Sequence, residues 1–158
     1  MLKAGQTAPD FEMVDQNERI IRLSDYKGKK NVVLFFYPKD FSPVCTLEAC
    51  GFRDKYDAFQ SLDTEVIGVS PDGVISHVHF SQKYNLPFSL LTDEGGLKSL
   101  FSGKRNIPFL QGRVTFVIDK EGKIVEVISS VFSASRHVDD ALSCLRSVEN
   151  QLPKDGSK

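Results

Sequence analysis

Cysteine is scarce in this 158-residue chain, which contains only Cys45, Cys50 and Cys144. Three unevenly placed cysteines do not make the disulfide framework of a small secreted domain. A structural zinc site is equally short of ligands. The close pair is C-x4-C, and no second Cys/His pair stands at ligand spacing. His77 and His79 lie in a polar segment far along the chain from the cysteines. An excess of one charge is missing too. The formal net charge is −1, so there is no electrostatic case for a nucleic-acid partner. No apolar run approaches the length of a membrane span. The opening Met1–Gln6 lacks the apolar core of a secretion signal, so a reducing cytoplasm is expected, or else the mature form of an organelle protein. No internal repeat, linker or second domain is visible.

What is present suits one globular domain over residues 1–152, with 153–158 as a frayed tail. Apolar residues make up 41% and charged residues 26% of the chain. Two alternating stretches, Pro9–Val14 and Arg19–Leu23, flank the turn Asp15–Glu18 and predict an N-terminal hairpin. Ser24–Gly28 reads as a turn or helical loop. Asn31–Tyr37 is a continuous apolar run, the pattern of a strand buried on both faces. One long helix is expected from about Pro43 to Leu62, carried by Leu47, Cys50, Tyr56 and Phe59. Then come a strand at Glu65–Ser70, a helix at Gly73–Tyr84, a strand at Phe88–Thr92 and a short helix at Gly96–Phe101. Arg113–Ile118 and Ile124–Ile128 form strands around the turn Asp119–Gly122. His137–Val148 closes the chain as an amphipathic helix with Val138, Ala141, Leu142 and Leu145 on one face. This order predicts an α/β sandwich with a mixed central sheet.

The chemistry centres on the loop after the buried strand. Pro38 ends the apolar run, a turn-rich loop follows, and Cys45 stands where a helix begins. A thiol there faces unpaired backbone N–H groups and the positive end of the helix dipole, both of which favour the nucleophilic thiolate. A buried structural thiol is the plainer alternative. Ser42 is an ordinary turn or N-cap residue when taken alone. Pro38 can simply end a strand. Arg113, at a strand start, can be a surface anchor. Glu48 lies one helical turn beyond Cys45 and can act as a first-turn acid. Cys50 can be a core residue of its helix. Cys144 reads as packing, and His137 as a surface or capping residue.

The segment Pro38-Lys39-Asp40-Phe41-Ser42-Pro43-Val44-Cys45 resembles the P-x-x-x-T/S-x-x-C motif of peroxiredoxins. Its continuation, Cys45-Thr46-Leu47-Glu48-Ala49-Cys50-Gly51-Phe52-Arg53-Asp54, is similar to the peroxiredoxin Q branch, also called bacterioferritin comigratory protein. Ala8–Phe11, Val66–Ser70, Leu86–Phe88 and Gly112–Asp119 match in type and order, so the resemblance covers nearly the whole chain. It implies a thioredoxin-like fold and a thiol-dependent peroxidase acting on hydrogen peroxide and organic hydroperoxides, without metal, haem or flavin. It implies Cys45 as the peroxidatic residue and Cys50 as the resolving one. Ser42 would set a hydroxyl beside the sulfur, Pro38 would shield it, and Arg113 would stabilise the thiolate and polarise the peroxide. Glu48 could hydrogen-bond that arginine. Most of the family has threonine where Ser42 stands, and serine keeps the hydroxyl but loses the methyl group that helps fix its rotamer. A thioredoxin or glutaredoxin-like dithiol would recycle a monomeric enzyme.

A bond between Cys45 and Cys50 carries a geometric consequence. On an intact helix, residues five apart are separated by roughly 7.5 Å of rise and about 140° of rotation. That exceeds the reach of a disulfide, so the helix must open for the bond to form. A thioredoxin-type oxidoreductase is disfavoured by the C-x4-C spacing, since it would want C-x-x-C. A redox sensor or chaperone-like binding protein remains as an alternative or additional role.

Overall fold

The computed structural model describes residues 1–102, 113–130 and 133–151. Strands β1 (Glu12–Val14) and β2 (Ile20–Arg22) pair antiparallel as the expected N-terminal hairpin, with Met13 opposite Ile21. A 3-10 turn, Leu23–Tyr26, leads to β3 (Asn31–Phe36). Then follow α1 (Pro43–Asp54), α2 (Tyr56–Ser61), β4 (Thr64–Ser70), α3 (Val74–Tyr84), β5 (Ser89–Thr92) and α4 (Gly96–Ser102). The last elements are β6 (Val114–Ile118), β7 (Ile124–Ser129) and α5 (Ala134–Gln151).

The main sheet has strand order β5-β4-β3-β6-β7. Strands β3, β4 and β5 run parallel, and β6 and β7 are antiparallel to their neighbours. This is the mixed α/β sandwich that the sequence predicts. Every residue of β3 is buried, and alternate side chains serve opposite faces, as the pleat requires. Val33, Phe35 and Tyr37 join a core with Ala49 and Phe52 of α1, Phe80 of α3, and Ala141 and Leu145 of α5. Val32, Leu34 and Phe36 join a second core with Phe101 of α4, Phe116 of β6 and Ile21 of the hairpin. The central strand is thus covered on both sides, which explains its unbroken apolar sequence.

The expected single helix from Pro43 to Leu62 is two helices. Lys55, at φ −103 and ψ 9, separates α1 from α2. The break suits packing: Phe52 and Phe59, seven residues apart, are both fully buried with ring centroids at 5.6 Å. The C-terminal helix begins three residues before His137, at Ala134, and runs to Gln151. At the β6–β7 turn, Asp119 Oδ1 accepts the Glu121 and Lys123 amides at 2.9 Å, and Gly122 takes φ 84. The tail Pro153–Lys158 and Gly112 of the family resemblance lie outside the described residues. Among the described residues, no helix is long and apolar enough to cross a membrane.

Two features of this frame position one edge of the sheet. Strand β3 delivers the chain to the start of α1, and antiparallel β6 starts beside the end of β3, with Val114 opposite Phe36. Arg113, one residue earlier, is therefore held at the same edge as the α1 N-terminus. Packing behind it leaves no slack. A Cβ on Gly68 of β4 would stand 2.8 Å from both Leu90 Cδ2 and Phe35 Cζ. Phe35 is itself stacked on Phe52 at 4.6 Å, so the ring cannot yield freely. Gly68→Ala is expected to destabilise the fold by about 1–3 kcal/mol through overpacking. Denaturant unfolding checks this, and an unchanged midpoint would show that the core can relax there.

Candidate active site

The loop from Tyr37 to Ser42 is fixed by a buried polar network. The Tyr37 amide donates to the Val69 carbonyl at 2.9 Å. The Asp40 carboxylate accepts from Tyr37 Oη at 2.6 Å and Ser76 Oγ at 2.8 Å, and its Oδ2 lies 2.7 Å from His77 Nδ1. The Asp40 amide donates to Asp72 Oδ2 at 2.7 Å. His77 Nε2 lies 3.1 Å from the Leu91 carbonyl oxygen, which can only accept. Tyr37, deep in the network, has its hydroxyl pushed well up by burial and then by Asp40. Phe41, at φ 68, turns the chain toward α1 and sets its ring 5.0 Å from that of Phe80.

Ser42 occupies the N-cap position, where its carbonyl accepts the Thr46 amide at 2.8 Å. Its hydroxyl donates to the Lys39 carbonyl at 2.9 Å, and among the described residues it makes no hydrogen bond to Cys45. Pro38 is exposed. Pro43 fits the first helical position, because the amide it lacks has no partner there. Cys45 is then the third residue of α1 and has no exposed surface.

Arg113 meets Cys45 from β6. Its Nη2 donates to Cys45 Sγ at 3.2 Å, and its Nη1 lies 3.5 Å from Glu48 Oε1. Arg113 is only 7% exposed, so the surface-anchor alternative does not describe it. Glu48 is fully buried one turn beyond Cys45. Burial pushes its carboxyl up to about 8, with Arg113 pulling the other way. Behind Glu48 stands His137, in the first turn of α5, with Nδ1 at 3.4 Å from Glu48 Oε2. Its Nδ1 is also 2.8 Å from Thr115 Oγ1, and its Nε2 is 2.8 Å from the Ser130 carbonyl oxygen.

Cys45, Arg113 and Glu48 are thus brought together, Ser42 and Pro38 flank them on the loop, and Cys50 stands apart. Cys50 is half-buried on an α1 that runs unbroken from Pro43 to Asp54, and it is a free thiol, as is Cys45. Burial raises the Cys50 thiol above its ordinary value. Cys144 is half-buried and packs against the core on α5, where burial pushes its thiol up to about 11.

Two histidines need correction. His137 is no surface or capping residue, since it is completely buried. His77, placed by sequence in a polar segment, is equally buried and holds Asp40, while His79 is exposed. Their helical spacing carried the signal. His77 is three residues before Phe80, and His137 four before Ala141, each on the buried face of its helix. Among the described residues, no group of three or more His, Cys, Asp or Glu could hold a metal ion.

Comparison with known proteins shows what the chain is similar to. The model of the AhpC/TSA family matches residues 4–127. A chloroplastic peroxiredoxin Q of Sedum lineare is 43% identical over 147 residues, covering 92% of this chain and 78% of its own. Peroxiredoxin Bcp of Bacillus subtilis is 42% identical over 159 residues, covering 95% of this chain and 99% of its own. The crystal structure of peroxidoxin BcpB from Mycobacterium tuberculosis superposes with a TM-score of 0.85 at 39% identity, covering 94% of this chain and 99% of that one.

The Asp40 network yields a prediction. Asp40→Ala would strand the His77 imidazole and two hydroxyls in the interior. It is expected to destabilise the protein by about 3 kcal/mol or more and to disturb the loop that leads to Cys45. Urea unfolding together with the alkylation rate of Cys45 checks both. Wild-type values in each would show that Asp40 does not hold the loop.

Proposed function

From the chain's membership of the AhpC/TSA family, in its peroxiredoxin Q and Bcp branch, we propose that Cys45 is the sulfur that attacks the hydroperoxide. The protein is a thiol-dependent peroxidase. The observation that carries the assignment is the 3.2 Å bond from buried Arg113 to Cys45 Sγ at a helix start. A fixed guanidinium favours negative charge on the attacking sulfur and on the oxygen that departs as the O–O bond breaks.

The thiolate sulfur attacks the distal oxygen, the O–O bond breaks, and its electron pair leaves on the second oxygen. Taking up one proton, that oxygen departs as water or an alcohol. Cys45 is left as a sulfenic acid. Cys50 then attacks the Cys45 sulfur, water leaves, and a Cys45–Cys50 disulfide forms. With α1 intact the two thiols are too far apart around the helix, so resolution needs its first turns to open. An external dithiol of the thioredoxin or glutaredoxin type would return both thiols and leave oxidised itself. Ser42 would swing its hydroxyl from Lys39 toward the substrate, and Pro38 would restrict access to the sulfur.

The rest of the reading is a single domain over residues 1–152 acting as a monomer, in the cytoplasm or as a mature organelle form. One sheet covered on both faces supports the single domain. Among the described residues the exposed large apolar side chains are few and fall in small groups, such as Val14 with Ile20 on the hairpin and Val74 with Ile75 on α3, which is in keeping with a monomer.

Intact mass after one equivalent of peroxide tests the cysteine roles. The wild type is expected to lose two hydrogens. Cys50→Ser should gain one oxygen and, with excess peroxide, a second. Cys45→Ser should remain unchanged. An oxidised Cys45→Ser, or a wild-type bond to Cys144 or between chains, would reassign the roles.

A further inference from the structure

The reacting sulfur, Arg113, Glu48 and His137 form one buried chain of contacts from α1, past the start of β6, to α5. Its far end contains an unsatisfied atom. Glu48 Oε2 is buried and has no hydrogen-bond partner. A buried acceptor left in that state is costly. His137 Nδ1 lies 3.4 Å from it. The Ser130 carbonyl accepts at the other ring nitrogen, so Nε2 carries a hydrogen. Nδ1 is therefore the nitrogen whose protonation can change, and it faces Thr115 Oγ1 and Glu48 Oε2 together.

Two placements of one proton have the same net charge. On Nδ1, it leaves Glu48 a carboxylate between two cations, Arg113 and His137. On Oε2, it makes Glu48 neutral and Nδ1 an acceptor. Burial favours the second, pushing the Glu48 carboxyl up to about 8 and the His137 imidazole down. The charged groups around the ring fit this picture. Glu48 faces it from α1 and Arg113 from the start of β6. On its own helix, Arg136 and Asp140 are exposed to solvent and paired with each other at 3.2 Å. Thr115 and Ser130 contribute neutral groups.

We propose that His137 is a positioning residue of the peroxidase reaction, which shares a proton with Glu48 and so decides whether Arg113 serves the Cys45 sulfur alone or divides its charge with a carboxylate. The proposal rests on Cys45 being the reacting thiol. With Glu48 neutral, the guanidinium is committed to the sulfur. With Glu48 ionised, a negative charge stands behind Arg113 and weakens the field at the sulfur. The rate of Cys45 oxidation should therefore fall as pH rises through the ionisation of Glu48. His137 and Thr115 should move that midpoint in opposite directions. His137→Gln presents an amide donor that favours the Glu48 carboxylate. Thr115→Val removes the hydroxyl that competes for Nδ1 and leaves its lone pair to the Glu48 proton.

The experiment follows oxygen addition to Cys45 by stopped flow and intact mass, in a Cys50→Ser background, across pH 6 to about 10. The expected result is an alkaline fall near the Glu48 ionisation. His137→Gln should shift it about one unit lower, Thr115→Val should shift it higher, and Glu48→Gln should abolish it. A merely structural role would change melting temperature and rate at every pH while leaving the midpoint in place. The proposal is overturned if the wild type shows no alkaline fall, or if the His137→Gln midpoint is unmoved or raised. Thr115→Val is nearly isosteric and keeps the test available should His137→Gln fail to fold; an unmoved or lowered midpoint in it overturns the proposal as well. Failure of the underlying assignment looks different: no oxygen would be added to Cys45 at any pH.

Discussion

A guanidinium cannot give up its charge in a protein, and that of Arg113 is almost completely withdrawn from water. Burying such a charge is tolerable only beside a compensating one. The structure offers two neighbours, Cys45 Sγ and Glu48 Oε1, at 3.2 and 3.5 Å. Glu48 is itself so buried that its carboxyl is pushed up to about 8, so near neutral pH it is a poor counter-charge. The burden falls on the sulfur. In the proposed mechanism, the constraint that makes Arg113 awkward to bury is what would turn its charge toward the Cys45 sulfur.

The fold exists around this edge in a specific sense. A buried central strand can be entered and left only at its ends. At the end of β3 the chain turns through a loop pinned by Asp40 and begins α1 at Ser42. Antiparallel β6 starts beside the same end. Parallel and antiparallel neighbours of one strand thus bring a helix N-terminus and an arginine to one point. Helix α5 packs across both and supplies His137. The opening of α1 that the proposed Cys45–Cys50 disulfide requires would have to disturb Cys45, Ala49 and Phe52, which are fully buried in the shared core.

Most of the frame was legible in the sequence because its signals are local. The apolar run of β3, the alternating hairpin and the Asp119–Gly122 turn each declare themselves within a few residues. The break at Lys55 did not, because apolar spacing continues through it and only packing of Phe52 against Phe59 requires it. For the site, the loop motif gave Cys45 and its neighbours directly. Arg113 came only through family resemblance, since nothing local distinguishes it from a surface residue. His77, His137 and Asp40 were missed or misread for one reason. A polar residue on an apolar helix face or in a turn reads as solvated until its buried partner, distant in sequence, is known.

The central claim is that the Arg113 charge, held against Cys45, makes the sulfur reactive. The most direct measurement is the second-order rate of the first oxidation in Arg113→Met, with melting temperature recorded alongside. Methionine keeps length and apolar contact and removes the charge. The account predicts a fall of about 10²–10³-fold, the scale seen when one preorganised donor is removed from a reacting charge, in a variant that remains folded. A folded Arg113→Met that is oxidised at the wild-type rate would contradict it.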